Sequence, residues 1–181
     1  EPDMSTPQEA RAYMEKIKSI LEYIDVSNCR MEEGNLRADL NISLRPVGQK
    51  TLGTKAEMKN INSFKALEDA LSYEIERQEE ILDDGGHIVQ ETRTWDPERG
   101  VTKSMRSKEE AHDYRYMPEP DLVPIVTTEE EIEEYRRHLP ELPDARRVRY
   151  MKEYGLSEYD AGIITASRAM AEYFEACLAN G

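Results

Sequence analysis

Residues 35–45 alternate polar and apolar side chains without interruption, and this pattern constrains the fold more than any other segment. Because a β-strand points successive side chains to opposite faces, the pattern predicts a strand with one face in a hydrophobic core. The apolar set is Leu36, Ala38, Leu40, Ile42 and Leu44. The polar set is Arg37, Asp39, Asn41 and Ser43. Two interpretations of the polar face remain open: a solvated, salt-bridged sheet, or a surface that binds a metal-bound phosphate through its carboxylate and guanidinium groups.

A second alternating segment, residues 54–59, follows the turn residues of 46–53 and predicts a neighbouring strand. Its outward side chains are Lys55, Glu57 and Lys59. If the two strands pair in this register, the charged residues of both lie on one surface, whereas a slip by one residue would turn either set inward. Fixed charges on a rigid sheet suit a nucleotide site, since unpaired charges are costly in a core. A salt-bridged face without a ligand remains the alternative.

The rest of the chain predicts helices and one hairpin. A helix begins at Thr6-Pro7, and another runs from about residue 62 to the glycines after residue 84. Residues 87–95 and 101–106 read as an antiparallel hairpin, in which Glu91 and Arg93 point the same way and either join the charged surface or form a plain cross-strand salt bridge. Four short helices are expected near 128–138, 143–154, 157–166 and 167–179. The fold class is therefore α+β: a mixed or antiparallel sheet with packed helices, followed by a small helical domain.

Several long blocks of the sequence carry a family resemblance. They are MEEGNLRADLNISLRP (31–46), GTKAEMKNINSF (53–64), QETR (90–93), DYRYMPEPD (113–121) and LPELP (139–143). In this order and spacing they closely resemble the B-subunit family of the aspartyl/glutamyl-tRNA amidotransferases. The archaeal sister subunit shares the general strand pattern, but residues 60–64 are more similar to the B-subunit family.

The resemblance implies a domain organisation and a reaction. Residues 1–121 would be the C-terminal part of the family's cradle (kinase/transamidase) domain, and 122–181 the start of its helical domain. The chain would be an internal fragment, inactive alone. The full subunit of the family uses ATP and Mg²⁺ to convert the side-chain carboxylate of Glu-tRNA(Gln) or Asp-tRNA(Asn) into an acyl phosphate. Ammonia that the A subunit releases from glutamine then displaces the phosphate, in a complex that also contains a C subunit.

The resemblance also implies site residues. The expected catalytic residues are Arg37, Asp39, Lys55, Glu57 and Lys59. Contacts to ATP are expected from Asn41, Arg93 and Arg115. Metal contacts are expected from Asp39, Glu32 and Glu33. Arg115 lies in an aromatic loop, residues 108–121, that would either close over a ligand or act as a packed linker.

The charge and the cysteine content of the sequence indicate which partners and cellular location to expect. The net charge of −14 argues against a nucleic-acid binder, and only the family resemblance favours tRNA. The arginines of 146–149, with 136–138, would form a basic stripe facing RNA or pair with Glu133, Glu134 or Glu153. Cys29 and Cys177 are expected to be incidental thiols, and without an apolar span the protein is expected in the cytoplasm.

Two rival interpretations place the chemistry outside this chain. In the first, the segment is a scaffold that binds tRNA and the other subunits while the N-terminal half of the family's subunit performs the reaction. In the second, the chain belongs to a paralogue that keeps the fold and only binds tRNA.

Overall fold

The computed structural model describes residues 3–107 and 120–180. These form two compact units, one made of residues 3–17 and 29–107 and the other of residues 18–28 and 120–180. The first unit combines helices with a sheet and the second is helical, which confirms the predicted α+β class. The domain boundary at residue 121 stays a prediction.

A four-stranded mixed sheet is the centre of the first unit. Its strands are β1 (Ala38–Ile42), β2 (Ala56–Ile61), β3 (Glu91–Asp96) and β4 (Val101–Ser107). They lie in sequence order; β1–β2 and β3–β4 are antiparallel, and the central pair β2–β3 is parallel. The predicted hairpin of β3 and β4 is confirmed. The helix at Phe64–Asp83 connects β2 to β3 and provides the crossover that parallel neighbours need.

Two helices belong to this sheet's core. Helix α1 (Pro7–Tyr23) begins with a capping box, in which the Thr6 hydroxyl accepts from the backbone of Glu9 and the Glu9 carboxylate accepts from the backbone of Thr6. Helix α2 (Phe64–Asp83) is capped at its N-terminus by Ser63, whose hydroxyl accepts from the backbone of Ala66. The buried core that these helices build with one face of the sheet contains Ala10, Met58, Leu67, Ala70 and Trp95.

Four helices follow in the second unit. They are α3 (Glu129–His138), α4 (Pro143–Tyr154), α5 (Glu158–Thr165) and α6 (Arg168–Asn180), close to the predicted ranges. Tyr150, Ala161 and Ala171 form a small buried core. The hydroxyl of Tyr23, at the end of α1, donates to the backbone carbonyl of Thr165. No helix in the described ranges is both long and apolar enough to cross a membrane.

Candidate functional site

The face of the sheet opposite the core carries the predicted charges. Along β1, Asp39 and Asn41 are exposed while Leu40 and Ile42 pack against the core, so the predicted alternation is confirmed over this strand. In β2, Glu57 and Lys59 alternate with the buried Ala56 and Met58. We call the surface formed by Asp39, Asn41, Glu57 and Lys59 the polar face.

Antiparallel pairing brings these four side chains together. Asn41 lies opposite Glu57 in the register of β1 and β2. The Lys59 ammonium nitrogen lies 3.5 Å from Asp39 Oδ2 and 3.5 Å from Glu57 Oε1. One cation therefore joins two carboxylates from neighbouring strands. The Asp39 side chain is 41% exposed and that of Glu57 only 16%, so the polar face is open over β1 and partly enclosed over β2.

Strand β3 adds a residue that sequence reasoning missed. Thr92 pairs with Glu57 in the parallel register of β2 and β3, and its hydroxyl donates a 2.9 Å hydrogen bond to Glu57 Oε2. Thr92 is 1% exposed. The signal in the sequence was the QETR block, where threonine alternates with Glu91 and Arg93 and must point to the opposite face.

The expectation that Arg93 joins the polar face is wrong. Arg93 pairs with the buried Met58 and lies on the helix side of the sheet. There its guanidinium donates to Glu91 and to the hydroxyl and carbonyl oxygens of Thr102, and its Nε lies 3.5 Å from Glu74 Oε2. The physical reason is that α2 supplies Glu74, a fully buried carboxylate that compensates the charge of Arg93.

Glu91 and Arg93 thus pair with each other within β3, not across strands, and a contact of Arg93 with ATP stays a prediction. Burial raises the pKa of the Glu91 carboxyl, but hydrogen bonds from Ser104 and Arg93 outweigh this effect and hold the pKa below its usual range. Glu91 thus stays charged beside Arg93, on the side of the sheet away from the polar face.

Comparison with known proteins assigns the family. Residues 1–133, which include the whole sheet, match the model of the GatB/GatE catalytic domain. The chain belongs to this family. It is 62% identical, over 180 residues, to the B subunit of the aspartyl/glutamyl-tRNA(Asn/Gln) amidotransferase of Caldanaerobacter subterraneus subsp. tengcongensis, an alignment that covers 99% of this chain and 38% of that relative. The B subunit from Moorella thermoacetica is 60% identical over 179 residues, again 99% of this chain and 38% of the relative.

These findings confirm the resemblance to the B-subunit family. The chain spans about 38% of the length of the curated relatives it matches. The polar face lies within the part that matches the GatB/GatE catalytic domain.

Two further predicted residues of the GatB/GatE domain lie at opposite ends of the polar face. Arg37 directly precedes β1 and Lys55 directly precedes β2, and both are exposed. Because the strands are antiparallel, Arg37 lies near the Ile61 end of β2 and Lys55 near the Ile42 end of β1. All five residues of β1 lie between them, so their backbones are about 20 Å apart along the strand direction at the usual rise per residue.

Glu32 and Glu33 lie in the turn before β1 and are exposed. Glu33 accepts from Arg30 at 2.6 Å and from the Asn35 amide at 3.2 Å. Across residues 3–107 and 120–180, no group of three or more acidic, histidine or cysteine side chains is arranged to hold a metal ion. The predicted trio of Asp39, Glu32 and Glu33 therefore does not form a preassembled cluster. Their role as metal ligands stays a prediction. Arg115 lies outside the described residues.

The predicted basic stripe of the second unit is largely paired internally. Arg146 is buried and its Nε donates to Glu141, while Arg149 donates to Glu141, Glu153 and Glu175. The hydrogen bonds from Arg149 hold the pKa values of Glu141 and Glu175 below their usual range. These contacts favour the ion-paired interpretation of the stripe.

The exposed basic residues of α3 are also paired within their own helix. Arg136 bonds to Glu133, and Arg137 and His138 lie beside Glu134. The two cysteines, Cys29 and Cys177, form no disulfide.

Proposed function

We propose that this chain is part of the B subunit of a tRNA-dependent amidotransferase and contributes to its ATP-dependent carboxylate activation. In this reaction, ATP and Mg²⁺ convert the side-chain carboxylate of Glu-tRNA(Gln) or Asp-tRNA(Asn) into an acyl phosphate, which ammonia from glutamine then amidates. The observation that carries the proposal is the pairing of Lys59 with Asp39 and Glu57 on adjacent strands, within the part that matches the catalytic-domain model. The names of the relatives support the amidotransferase part of this reaction.

The carboxylates of the polar face fit a magnesium ion. Mg²⁺ prefers oxygen ligands, and protein sites commonly offer one or two carboxylates and leave the other positions to phosphates and water. Asp39 Oδ2 and Glu57 Oε1 each lie 3.5 Å from the Lys59 nitrogen, so both carboxylates already face one shared cation, the Lys59 ammonium. Asp39 and Glu57 would hold the metal, with Glu32 and Glu33 as further candidates. The bound ion would neutralise charge on the phosphoryl oxygens.

The cations and the amide have complementary roles in this proposal. A carboxylate is a poor acyl donor, and phosphoryl transfer to it depends mainly on positioning and charge neutralisation. Lys59 would offset negative charge at the centre of the polar face, and Asn41 would orient the nucleotide from β1. Arg37 and Lys55, at opposite ends, would contact different phosphate or carboxylate groups of the substrates.

The partners implied are the A and C subunits of the complex and the misacylated tRNA, in the cytoplasm. The basic residues Arg136 of α3 and Arg149 of α4 are held by carboxylates, so binding of RNA phosphate by these residues would require their ion pairs to open. This favours tRNA contacts through other parts of the full-length subunit.

A scaffold role is the second candidate, and one observation favours it. Lys59 already pairs with both carboxylates, as expected of a salt-bridged sheet face that binds no metal or nucleotide. In that case, substitutions on the polar face would weaken assembly with the other subunits and leave the activity of each assembled complex unchanged.

The first experiment is Asp39→Asn in the full three-subunit complex, with Glu-tRNA-dependent ATP cleavage as the readout. The matched control is Asp69→Asn: the Asp69 side chain is 43% exposed, close to the 41% of Asp39, and it pairs with Lys65 on the surface of α2. If Asp39 binds metal in the reaction, Asp39→Asn should lower ATP cleavage by roughly 10³-fold, the range found when a charge clamp on phosphoryl groups is lost.

Glutaminase activity and subunit stoichiometry report whether the complex is intact. Loss of ATP cleavage in Asp39→Asn alone, with intact glutaminase, supports the activation site. Equal and full ATP cleavage in both variants refutes it and leaves the scaffold role.

A further inference from the structure

Thr92 makes a contact that the proposed roles do not use. Its side chain is buried, and its hydroxyl donates to Glu57 Oε2 at 2.9 Å. The other carboxylate oxygen, Oε1, faces the Lys59 ammonium nitrogen at 3.5 Å. The two oxygens of Glu57 therefore have different partners, one on β3 and one on its own strand, and this fixes the plane of the carboxylate.

The backbone that carries Thr92 is itself held in place. The next residue, Arg93, points to the opposite side of the sheet, where its Nε donates to the Thr102 hydroxyl at 2.8 Å and a terminal nitrogen donates to the Thr102 carbonyl at 3.0 Å. The pairing of β3 with β4 shifts register between Thr92 and Arg93. Such irregularities re-aim side chains and recur beside functional sites. The backbone at Thr92 is thus held by the contacts of Arg93 on the buried side of the sheet, while the Thr92 hydroxyl donates to Glu57 on the polar face.

We infer that Thr92 is a positioning residue, which fixes the Glu57 carboxylate so that Oε1 is presented to the cation site shared with Asp39. This inference rests on the proposed function and deepens it, because it names a residue that acts through Glu57. A hydrogen bond to an ionised carboxylate is stronger than one between neutral groups. Groups that orient metal ligands in this way typically change metal affinity or activity 10- to 100-fold when they are removed.

Three substitutions in the full-length subunit isolate the hydroxyl. Thr92→Val removes it at nearly constant volume, and Thr92→Ser restores it. Thr94→Val is the matched control, because Thr94 lies two residues further along the same strand and pairs with Lys59 instead of Glu57. Glu57→Gln, made in parallel, tests the residue through which Thr92 acts.

The first readout is Mg²⁺ binding by calorimetry, without tRNA, and the second is the Mg²⁺ dependence of ATP cleavage in the assembled complex. In Thr92→Val we expect Mg²⁺ affinity to fall about tenfold and the half-saturating Mg²⁺ concentration to rise by the same factor. The rate at saturating Mg²⁺ should change much less. Thr92→Ser should lie within about twofold of wild type, and Thr94→Val should match wild type. A purely structural role would lower thermal stability without this shift in Mg²⁺ dependence.

The outcomes separate this inference from the proposed function. If Glu57→Gln loses Mg²⁺ binding while Thr92→Val and Thr94→Val both bind like wild type, Thr92 does not position Glu57 and the inference is overturned. If Glu57→Gln itself binds and reacts normally, the role of Glu57 in the proposed function is refuted, and the inference falls with it. Should the valine variant not fold, Thr92→Ala is measured against Thr92→Ser, and equal Mg²⁺ affinities of the two contradict the inference.

Discussion

Replacing Glu74 by glutamine should destabilise the first unit strongly, because this carboxylate is the centre of a buried polar network. Glu74 is fully buried. It accepts from Arg77 at 2.5 and 3.0 Å, from the Gln78 amide at 3.0 Å and from the Thr102 hydroxyl at 3.0 Å, and Arg93 lies 3.5 Å away. Glutamine keeps the shape but removes the charge, and in either orientation its amide nitrogen faces a nitrogen of Arg77, which is itself a donor.

The expected loss in the free energy of unfolding follows from the interactions that Arg93 keeps after Glu74→Gln. Removing one partner of a buried ion pair typically costs about 3–5 kcal/mol. Arg93 keeps its bond to Glu91, so we expect a loss near the lower limit, about 3 kcal/mol. With a urea dependence of about 2 kcal/mol per molar, the unfolding midpoint should fall by about 1.5 M.

Tryptophan fluorescence during urea unfolding is the assay. Trp95 is the single tryptophan of the sequence, is 4% exposed and lies in the core of the first unit, with its ring centroid 6.4 Å from that of Tyr73. Its emission therefore reports on the unit that contains Glu74. Glu80→Gln, at an exposed position of the same helix, is the control and should change stability by less than about 0.5 kcal/mol.

Two results would decide whether the charge of Glu74 matters. A Glu74→Gln midpoint within about 0.3 M of wild type, at an unchanged slope, would refute a stabilising role for that charge. The double variant Glu74→Leu with Arg93→Met should recover little of the loss, because it leaves the Gln78 amide and the Thr102 hydroxyl buried without Glu74. Full recovery would also contradict a stabilising role for the charge.

Three further predictions concern other parts of the chain. A methyl group at Gly53 would lie 2.0 Å from the Leu44 carbonyl oxygen, so Gly53→Ala should cost about 1–3 kcal/mol in urea unfolding. Gly162→Ala should instead stabilise by about 0.5–1 kcal/mol, because Gly162 is helical and its added methyl meets nothing within 4 Å. Since hydrogen bonds from Arg149 lower the pKa of Glu141, the stability that Glu141 contributes is complete above the ordinary glutamate pKa of about 4.3 and is lost as pH falls through the lower folded-state value. Thermal unfolding followed by circular dichroism from about pH 6 to pH 3 should therefore show a steeper loss in wild type than in Arg149→Met, and equal slopes would contradict this.

The sequence specified β1 and β2 because each has one apolar face. With Leu40 and Ile42 directed to the core, Asp39 and Asn41 must lie on the other side. The helix starts were equally predictable, since a cap such as that of Thr128 is a local feature of the chain.

Strand β3 could not be placed in the same way, because both of its faces carry polar residues. Thr92 and Arg93 give no apolar alternation from which to read the phase. The face on which Arg93 lies is determined by Glu74, a residue of the helix that covers the sheet. The helical spacing does indicate that Glu74 lies on the buried side of α2, because it follows the buried Leu71 by three residues and Leu67 by seven. Sequence reasoning nevertheless places a glutamate in solvent, because this residue type is rarely buried.

The parallel pairing at the centre of the sheet also bears on the order in which the fold forms. The strand pairs β1–β2 and β3–β4 join neighbours in sequence, whereas β2 meets β3 only after the chain has passed through α2. Contacts between segments distant in sequence cost more loop-closure entropy and tend to form later. The hydrogen bond from Thr92 to Glu57 spans that late junction. We therefore expect the orientation of the Glu57 carboxylate to be fixed late in folding, after the pairing of β1 with β2 has brought the polar face together. A substitution in α2 that slows docking of the two hairpins would delay this step while leaving each residue of the polar face unchanged.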